Sequence, residues 1–263
     1  MECLRVFKCP RYLLDSVRML MVRDGRLDLL GDYIIVGLGG GFDVLPELLE
    51  EPRDVSGFAR TIKTFTGLYK GVRVSVIAMG GGSSYAEWVS ALACMRGAKA
   101  LIGVGWCGAL QEEVSIGDAV VPTAVVRDED TTRHYVDPSF PAVADPQLLS
   151  LALSTARPRV EALGSRMWVG VTVSTSAMLA ESRERVGAWR EWGALCVDCE
   201  SSTLYTLGYL TRIPTLTMLA VSDNVVLEKD CGFGTELSKK VEETFVTLAR
   251  CALEIVKRLS EGL

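Results

Sequence analysis

Short apolar runs alternate with longer segments of helical periodicity along most of the chain. The runs predict strands, because about four to eight apolar residues rich in valine and isoleucine, bounded by turn residues, are typical of buried strands. The predicted strands are Tyr33–Gly37, Val72–Met79, Ala100–Val104, Ala119–Val126, Trp168–Val173, Leu195–Cys199 and Thr215–Val221. The predicted helices between them are Ser83–Met95, Gln147–Thr155, Arg183–Trp192 and Ser201–Leu210.

The end of the chain predicts one long amphipathic helix, because apolar residues recur at helical spacing from Thr235 to Leu259. Strands that alternate with helices favour an α/β fold with a mixed or largely parallel sheet. No linker, repeat or low-complexity segment interrupts the pattern. We therefore expect a single domain over residues 1–263, with a mixed central β-sheet flanked by helices. Residues 1–31 form an N-terminal extension to which the pattern assigns no role.

The composition is that of a globular protein without a basic surface. Of the 263 residues 49% are hydrophobic, and the net charge of −5 argues against nucleic acid as the main partner. No apolar stretch is long enough for a membrane span, and the first residues lack the apolar region of a signal peptide. We expect a cytoplasmic protein that binds no membrane. Only one Asn and two Gln are present, which hints at a thermophilic source.

The chain has eight cysteines but only one histidine, His134. Because no second C-x-x-C pair accompanies Cys196 and Cys199, the spacing favours no zinc site, and we expect no bound metal. We expect most thiols to be buried and reduced, although a structural disulfide stays open for a thermophile. His134 lies in the polar segment Arg127–Asp145, which predicts a long loop, and we expect its ring to be solvated.

Glycine-rich turns follow three of the predicted strands, at Gly37–Gly41, Gly80–Gly82 and Gly103–Leu110. In an open α/β sheet, ligands bind beyond the carboxyl ends of strands, where glycines allow the backbone to approach them. The first turn lacks the G-x-G-x-x-G spacing of dinucleotide-binding proteins, so we expect no nucleotide cofactor. Binding of an anion by the backbone N–H groups of these turns stays open.

Two carboxylates, Glu200 and Asp223, each end an apolar run. An acid at the carboxyl end of a buried strand is poorly placed for core packing and well placed for a ligand. Each could equally cap a helix, because an acid at a first turn interacts favourably with the helix dipole. Their occurrence together with the glycine turns favours a ligand site.

From about Asp32 to the C-terminus the sequence resembles nucleoside phosphorylases of the purine nucleoside and uridine phosphorylase type. The resemblance rests on an ordered set of motifs: FTGLYKG (Phe65–Gly71), IAMGGGSS (Ile77–Ser84), GVGWCGAL (Gly103–Leu110), SIGDAVV (Ser115–Val121), VDCESSTLYTL (Val197–Leu207) and AVSDN (Ala220–Asn224). It implies that a nucleoside reacts with phosphate to give free base and ribose 1-phosphate, without a cofactor. It also implies a homo-oligomer, a dimer or a hexamer.

The resemblance implies roles for residues on the nucleoside side. Glu200 matches the acid that accepts hydrogen bonds from the ribose 2′- and 3′-hydroxyls, and a carboxylate with two acceptor oxygens suits a vicinal diol. Asp223 matches the catalytic acid that protonates purine N7, which requires a raised pKa. Further positions are implied to line the sugar and the base: Cys199 at the ribose, and Met178, Asp198 and Ser222 at the base.

The phosphate side departs from the family pattern. Gly37, Gly105 and Trp106 match phosphate-facing positions, and Arg60 matches an arginine that a neighbouring subunit supplies. The family has an arginine at the position of Gly103 and a Ser or Thr at Trp106, and no arginine follows Gly37 in the first turn. Losing a buried charge partner costs about 2–5 kcal/mol of binding free energy. Trp106 could stack on an aromatic ligand or simply close the anion pocket.

Three functions therefore stay open. The first is a phosphorylase with a rearranged phosphate pocket that uses Arg60, Arg133 or backbone amides. The second is a nucleosidase, in which Asp43 or Glu47 would activate water. The third is an inactive nucleoside-binding subunit. The base is also open, because only Asp223 indicates a purine, and Ser182–Arg185 is not a faithful copy of the Gln-x-Arg set that reads uracil.

Overall fold

A computed structural model of the chain describes residues 2–232 and 235–262. The strands in this part are β1 (Tyr33–Leu38), β2 (Glu50–Asp54), β3 (Ile62–Tyr69), β4 (Val72–Met79), β5 (Ala100–Ala109), β6 (Ala119–Asp128), β7 (Ala142–Val143), β8 (Met167–Thr175), β9 (Cys196–Asp198), β10 (Thr215–Asn224) and β11 (Lys229–Asp230). The α-helices are α1 (Arg11–Met21), α2 (Val44–Glu47), α3 (Ser83–Arg96), α4 (Pro146–Ala162), α5 (Arg183–Glu191), α6 (Ser201–Thr211) and α7 (Glu236–Ser260).

The strands form one mixed sheet, as the sequence predicts. Its order is β11-β10-β6-β8-β9-β5-β1-β4-β3-β2, with β7 beside β6. Because β10 also pairs with β5, the strands β10, β6, β8, β9 and β5 close into a ring. The pairs β1–β4, β1–β5 and β5–β10 are parallel, so their carboxyl ends point to the same edge of the sheet.

Helices cover both faces of this sheet. Strand β1 is buried along its whole length, and its side chains alternate between the two faces. Ile34 belongs to the same apolar cluster as Leu92 of α3 and Leu204 of α6. Ile35 belongs to the cluster that contains α4 and Phe245 of α7. The alternation explains why β1 reads as a continuous apolar run, because both sides of the strand are covered.

The segment before Asp32 joins this core. Phe7, Met21 and Leu30 are buried in the cluster that also contains α3 and α6. Helix α1 was not among the predicted elements, and β2 and β3 were likewise missed. The segment Arg127–Asp145 is only partly a loop, because β6 runs to Asp128 and the segment also contains a short 3-10 helix and β7.

The expectation of buried, reduced thiols is confirmed for Cys107, Cys196 and Cys251, whereas Cys9, Cys199 and Cys231 are free but only partly buried. Cys94 is disulfide-bonded, which is the alternative that the sequence left open. None of the helices within residues 2–232 and 235–262 combines the length and apolar character that crossing a bilayer requires.

Candidate active site

A cavity of about 210 Å³ opens at the carboxyl ends of β1, β5, β9 and β10. The parallel strands β1, β5 and β10 end together at this edge, and β9, which pairs antiparallel with β5, adds its last residues there, so residues far apart in sequence meet. The lining residues are Leu38, Gly39, Trp106, Cys107, Gly108, Met178, Glu181, Val197, Asp198, Cys199, Glu200, Ser222, Asp223 and Val225. The structure therefore brings Glu200 and Asp223 to one cavity, together with Cys199, Met178, Asp198, Ser222 and Trp106.

Glu200 directly precedes α6 but does not cap that helix with its side chain. Its carboxylate points toward the start of α3 and accepts a hydrogen bond there from the backbone N–H of Gly82. It also accepts one, at 3.3 Å, from the backbone N–H of the preceding residue, Cys199. A Cβ atom at Gly81 would lie 3.1 Å from Oε1 of Glu200, so this close approach needs the glycine turn. Burial and the charge of Asp198 raise the pKa of Glu200 to about 7.

Asp198 lies at the end of β9 and holds the turn into α6. It accepts hydrogen bonds from the Ser174 hydroxyl and, at 3.0 Å, from the backbone N–H of Ser201. The helix-capping bond thus comes from Asp198, which leaves the Glu200 carboxylate free to face the cavity. Burial raises the pKa of Asp198 despite these hydrogen bonds.

Asp223 lies inside β10 opposite Gly108 of β5, at a point where the strand register shifts. The Ser222 hydroxyl donates a 2.7 Å hydrogen bond to its Oδ1. On the other side, β11 pairs antiparallel with β10 and places Asp230 opposite Asp223. Burial, reinforced by the charge of Asp230, raises the pKa of Asp223. A carboxyl group with a raised pKa at the cavity wall can serve as a general acid.

A further acid that was not predicted from the sequence, Glu181, also lines this cavity. It follows the short turn Met178–Ala180 between β8 and α5. Burial and the charge of Asp223 raise the pKa of Glu181 to about 7. Met178, which also lines the cavity, is 64% exposed and forms an apolar part of its mouth, whereas Leu179 is 99% exposed and does not line the cavity. The sequence showed only that Glu181 follows a predicted strand by a few residues. Acids in such positions are too common for this one to be singled out as a site residue.

A larger outer cavity of about 1020 Å³ adjoins the inner one. The two share Met178, Glu181, Ser222, Asp223 and Val225, so they meet on the Asp223 side. Arg183 and Lys229 also line the outer cavity, and Arg183 pairs with Glu228 at 2.8 Å. The inner cavity therefore opens outward past Asp223.

The opposite wall, where the resemblance implies phosphate, is closed by an aromatic stack. The Trp106 indole lies against the Phe245 ring of α7, with centroids 4.4 Å apart and planes 17° from parallel. No arginine or lysine is among the described residues that line the inner cavity. A Cβ at Gly103 would lie 2.9 Å from Thr217 and 3.0 Å from Leu38, so this position has no room for an arginine side chain.

The remaining phosphate positions do not line the inner cavity. Gly37 and Gly105 are buried within their strands, and the exposed Gly39 lines the cavity instead. A Cβ at Gly37 would lie 2.3 Å from the Gly40 carbonyl oxygen, so packing explains this glycine. Arg60 is exposed and does not line the inner cavity of its own chain.

The other residues considered for function lie elsewhere. Asp43 and Glu47 are exposed and do not line the inner cavity. Arg133 pairs with Asp130, and His134 lines a separate surface cavity beside Tyr135. Across the described ranges, no three His, Cys, Asp or Glu side chains are grouped so that they could hold a metal ion.

Comparisons with a family model, with curated proteins and with solved structures agree on one family. Residues 33–261 match the model of the phosphorylase superfamily. A uridine phosphorylase of Thermococcus kodakarensis is 34% identical over 231 residues, which cover 82% of this chain and 78% of the relative. A DeoD-type purine nucleoside phosphorylase of Alkaliphilus metalliredigens is 31% identical over 195 residues, covering 73% and 80%. The crystal structure of a uridine phosphorylase from Vibrio fischeri superposes with a TM-score of 0.79 at 23% identity, covering 88% and 94%.

Proposed function

The chain belongs to the phosphorylase superfamily, within its nucleoside phosphorylase family, and we propose that it cleaves the N-glycosidic bond of a purine nucleoside with phosphate. The products would be the free base and ribose 1-phosphate, and no cofactor is needed. The observation that carries the proposal is that Glu200 and Asp223, from different strand ends, face one cavity. That arrangement suits a nucleoside held by its diol at one acid and by its base at the other.

In the proposed reaction each acid has a separate task. Glu200, in its ionised form, accepts hydrogen bonds from the 2′- and 3′-hydroxyls, with Cys199 beside the sugar. Asp223 donates a proton to N7 while the bond from C1′ to N9 breaks and its electron pair passes to the base. The base then leaves as a neutral molecule. The sugar acquires positive charge as the bond breaks, and the negative charges of Glu200 and Asp198 stabilise that charge.

Phosphate would approach on the Gly39 and Trp106 side of the cavity. Backbone N–H groups of the turn after β1 would bind its oxygens, because such turns form concave anion sites. The cation would come from Arg60 of a neighbouring copy, since Arg60 is exposed in its own chain. We therefore propose a homo-oligomer, a dimer or a hexamer, in which the phosphate side is completed across a subunit boundary.

A specific observation favours a second candidate, phosphate-independent hydrolysis. The inner cavity has four carboxyl groups and, among its described lining residues, no cation. The Trp106 indole also occupies the wall where a dianion would bind. A phosphate dianion in a partly buried site requires cationic partners, whereas water does not.

The experiment that tests the proposal measures base release from adenosine, inosine, guanosine and uridine with phosphate and in phosphate-free buffer. We expect purine release only with phosphate, with one ribose 1-phosphate formed per base. Equal release without phosphate, with free ribose as the product, would contradict phosphorolysis in favour of hydrolysis. Failure to release any base from the panel would exclude both reactions and leave a nucleoside-binding subunit.

A further inference from the structure

The Asp223 side of the inner cavity contains a second acid, Glu181, to which the proposed reaction assigns no task. Glu181 and Asp223 both line the inner cavity, and both also line the outer one. Both residues therefore lie where the two cavities meet, and there the charge of Asp223 contributes to the raised pKa of Glu181. A base bound at Asp223 would therefore meet two carboxyl groups along one edge.

The carboxyl group of Glu181 is available for a ligand. Within residues 2–232 and 235–262 it has no hydrogen-bond or ion-pair partner. The cation that acts on it is Arg185, and that guanidinium is already bound to Asp128 at 2.6 Å. Of the other cations that line the outer cavity, Arg183 pairs with Glu228 and Arg190 with Glu112. Lys229 and Asp230 of β11 complete the charged groups of that cavity.

Two neighbouring acids without a cation between them disfavour a doubly ionised state. With one proton between them, the pair offers one hydrogen-bond donor and one carboxylate acceptor. The edge of adenine that carries N7 presents an acceptor at N7 and a donor at the 6-amino group. The same edge of a 6-oxopurine presents two acceptors, N7 and O6, and would leave the carboxylate without a donor.

We propose that Glu181 and Asp223, with one proton between them, bind the N7 and 6-amino groups of the base, so that the preferred substrates are 6-aminopurine nucleosides. Asp223 donates to N7, and the Glu181 carboxylate accepts from the 6-amino group. Glu181 is then the residue that determines specificity between adenosine and inosine. The inference rests on the proposed function in one respect, namely that the base binds on the Asp223 side of the inner cavity.

Two measurements test the inference, one with turnover and one without. The first compares kcat/KM for adenosine and inosine, which differ in the group at position 6 and in the proton on N1. The second titrates free adenine and free hypoxanthine into the protein by calorimetry. We expect adenosine and adenine to be favoured by about 10- to 100-fold, the range that a good paired contact to a base edge gives. Equal values, or a preference for the 6-oxopurine, would overturn the inference.

The variant Glu181→Gln keeps the shape of the side chain and replaces an acceptor oxygen with an NH₂ donor. We expect it to reduce the adenine-to-hypoxanthine ratio by about tenfold or to invert it, because the amide can donate to O6. The matched control is Glu184→Gln, the same change at an exposed position in the first turn of α5. The control should leave both the ratio and kcat unchanged.

The outcomes separate this inference from the proposed function. If Glu181→Gln acted only through the structure, it would weaken the binding of adenine and hypoxanthine equally. An unchanged adenine-to-hypoxanthine ratio would therefore refute the role of Glu181 in specificity. If the protein cleaves inosine and adenosine equally, the proposed function stands and the inference falls. If it cleaves no nucleoside but binds adenine selectively through Glu181, the inference stands and the proposed function falls.

Discussion

The acids of the inner cavity differ in what surrounds each carboxyl group. Asp198 is tied to Ser174 and Ser201, and Glu200 to two backbone N–H groups. Asp223 has one hydroxyl donor, and Glu181 has no described hydrogen-bond partner. Donors stabilise a charged carboxylate, so they oppose the rise in pKa that burial causes at Asp198 and Glu200, whereas no described donor does so at Glu181. This difference matches a sugar side and a base side.

Asp223→Asn should reduce kcat for purine release by about 10²- to 10⁴-fold, the usual contribution of a general acid, because an amide cannot protonate N7. KM should change little, since the side chain keeps its shape. The measurement is steady-state kinetics with adenosine. The matched substitution Asp230→Asn should cost less than tenfold and move the high-pH limb of the rate profile toward lower pH, since it removes a charge that raises the Asp223 pKa. If Asp230→Asn reduced kcat as much as Asp223→Asn does, the assignment of Asp223 as the general acid would be refuted.

At the level of single residues, the sequence predicted which acids lie at strand ends but not which side chains meet. Glu200 and Asp223 end apolar runs, so their positions followed from the pattern. Glu181 follows a turn between β8 and α5, and only the three-dimensional structure shows that it lines the same cavity as Asp223. The sequence likewise could not show which glycines line the cavity and which are required by packing. Gly105 is required by packing, because a Cβ there would lie 2.6 Å from Cβ of Leu38, whereas Gly39 lines the cavity.

Among the elements, the C-terminal helix α7 is coupled to the cavity wall. Its Phe245 is buried in the core on one side and stacks on Trp106 of β5 on the other. Offset stacking of two aromatic rings contributes about 0.5–1.5 kcal/mol beyond the burial of their surfaces. The wall on the proposed phosphate side is therefore held by a helix whose other residues do not enter the cavity.

Trp106→Ala should lower the free energy of unfolding by about 3 kcal/mol, because it removes a large packed ring and the stack with Phe245. Urea denaturation followed by circular dichroism measures this change. The control is Trp192→Ala, because Trp192 is 62% exposed and should change the free energy by less than about 0.5 kcal/mol. Equal effects of the two substitutions would show that the stack does not stabilise the protein.

The elements that the sequence predicted are those with a continuous apolar run or a long helical period. β3 was missed because it is an antiparallel strand whose buried residues alternate with partly exposed ones such as Lys63 and Phe65. Its polar positions interrupt the apolar run that marks the parallel strands. α1 is strongly amphipathic, so its pattern was available in the sequence and was overlooked, although only Met21 of its residues is fully buried.

Over the whole molecule, the acids of the inner cavity and the acids in ion pairs outside it respond to pH in opposite directions. Glu181 and Glu200 have pKa values of about 7 against an ordinary 4.5, so the folded protein retains protons that the unfolded chain has released. Their contribution to stability is therefore complete below pH 4.5 and is lost as pH rises to about 7. Asp32 and Glu254 have lowered pKa values, and their contribution is lost only in acid.

We therefore expect the melting temperature to be highest near pH 5. Between pH 5 and pH 8 the free energy of unfolding should fall by about 2–4 kcal/mol. One pKa unit corresponds to about 1.4 kcal/mol, and solvent screening at the partly exposed Glu181 reduces the full sum of the two shifts. The melting temperature should fall by roughly 5–10 °C, which scanning calorimetry over this pH range measures. Glu200→Gln should flatten the curve, because the amide does not titrate. A melting temperature that rises steadily from pH 5 to pH 8 would contradict this account.

The position of Trp106 also makes the molecule convenient to study. It is one of five tryptophans in the chain and the only one that lines the inner cavity among the described residues. Indole emission depends on the polarity and packing around the ring, so a molecule that settles against this wall alters the intrinsic fluorescence. Occupancy of the cavity can thus be followed optically, without a label and before any product has formed.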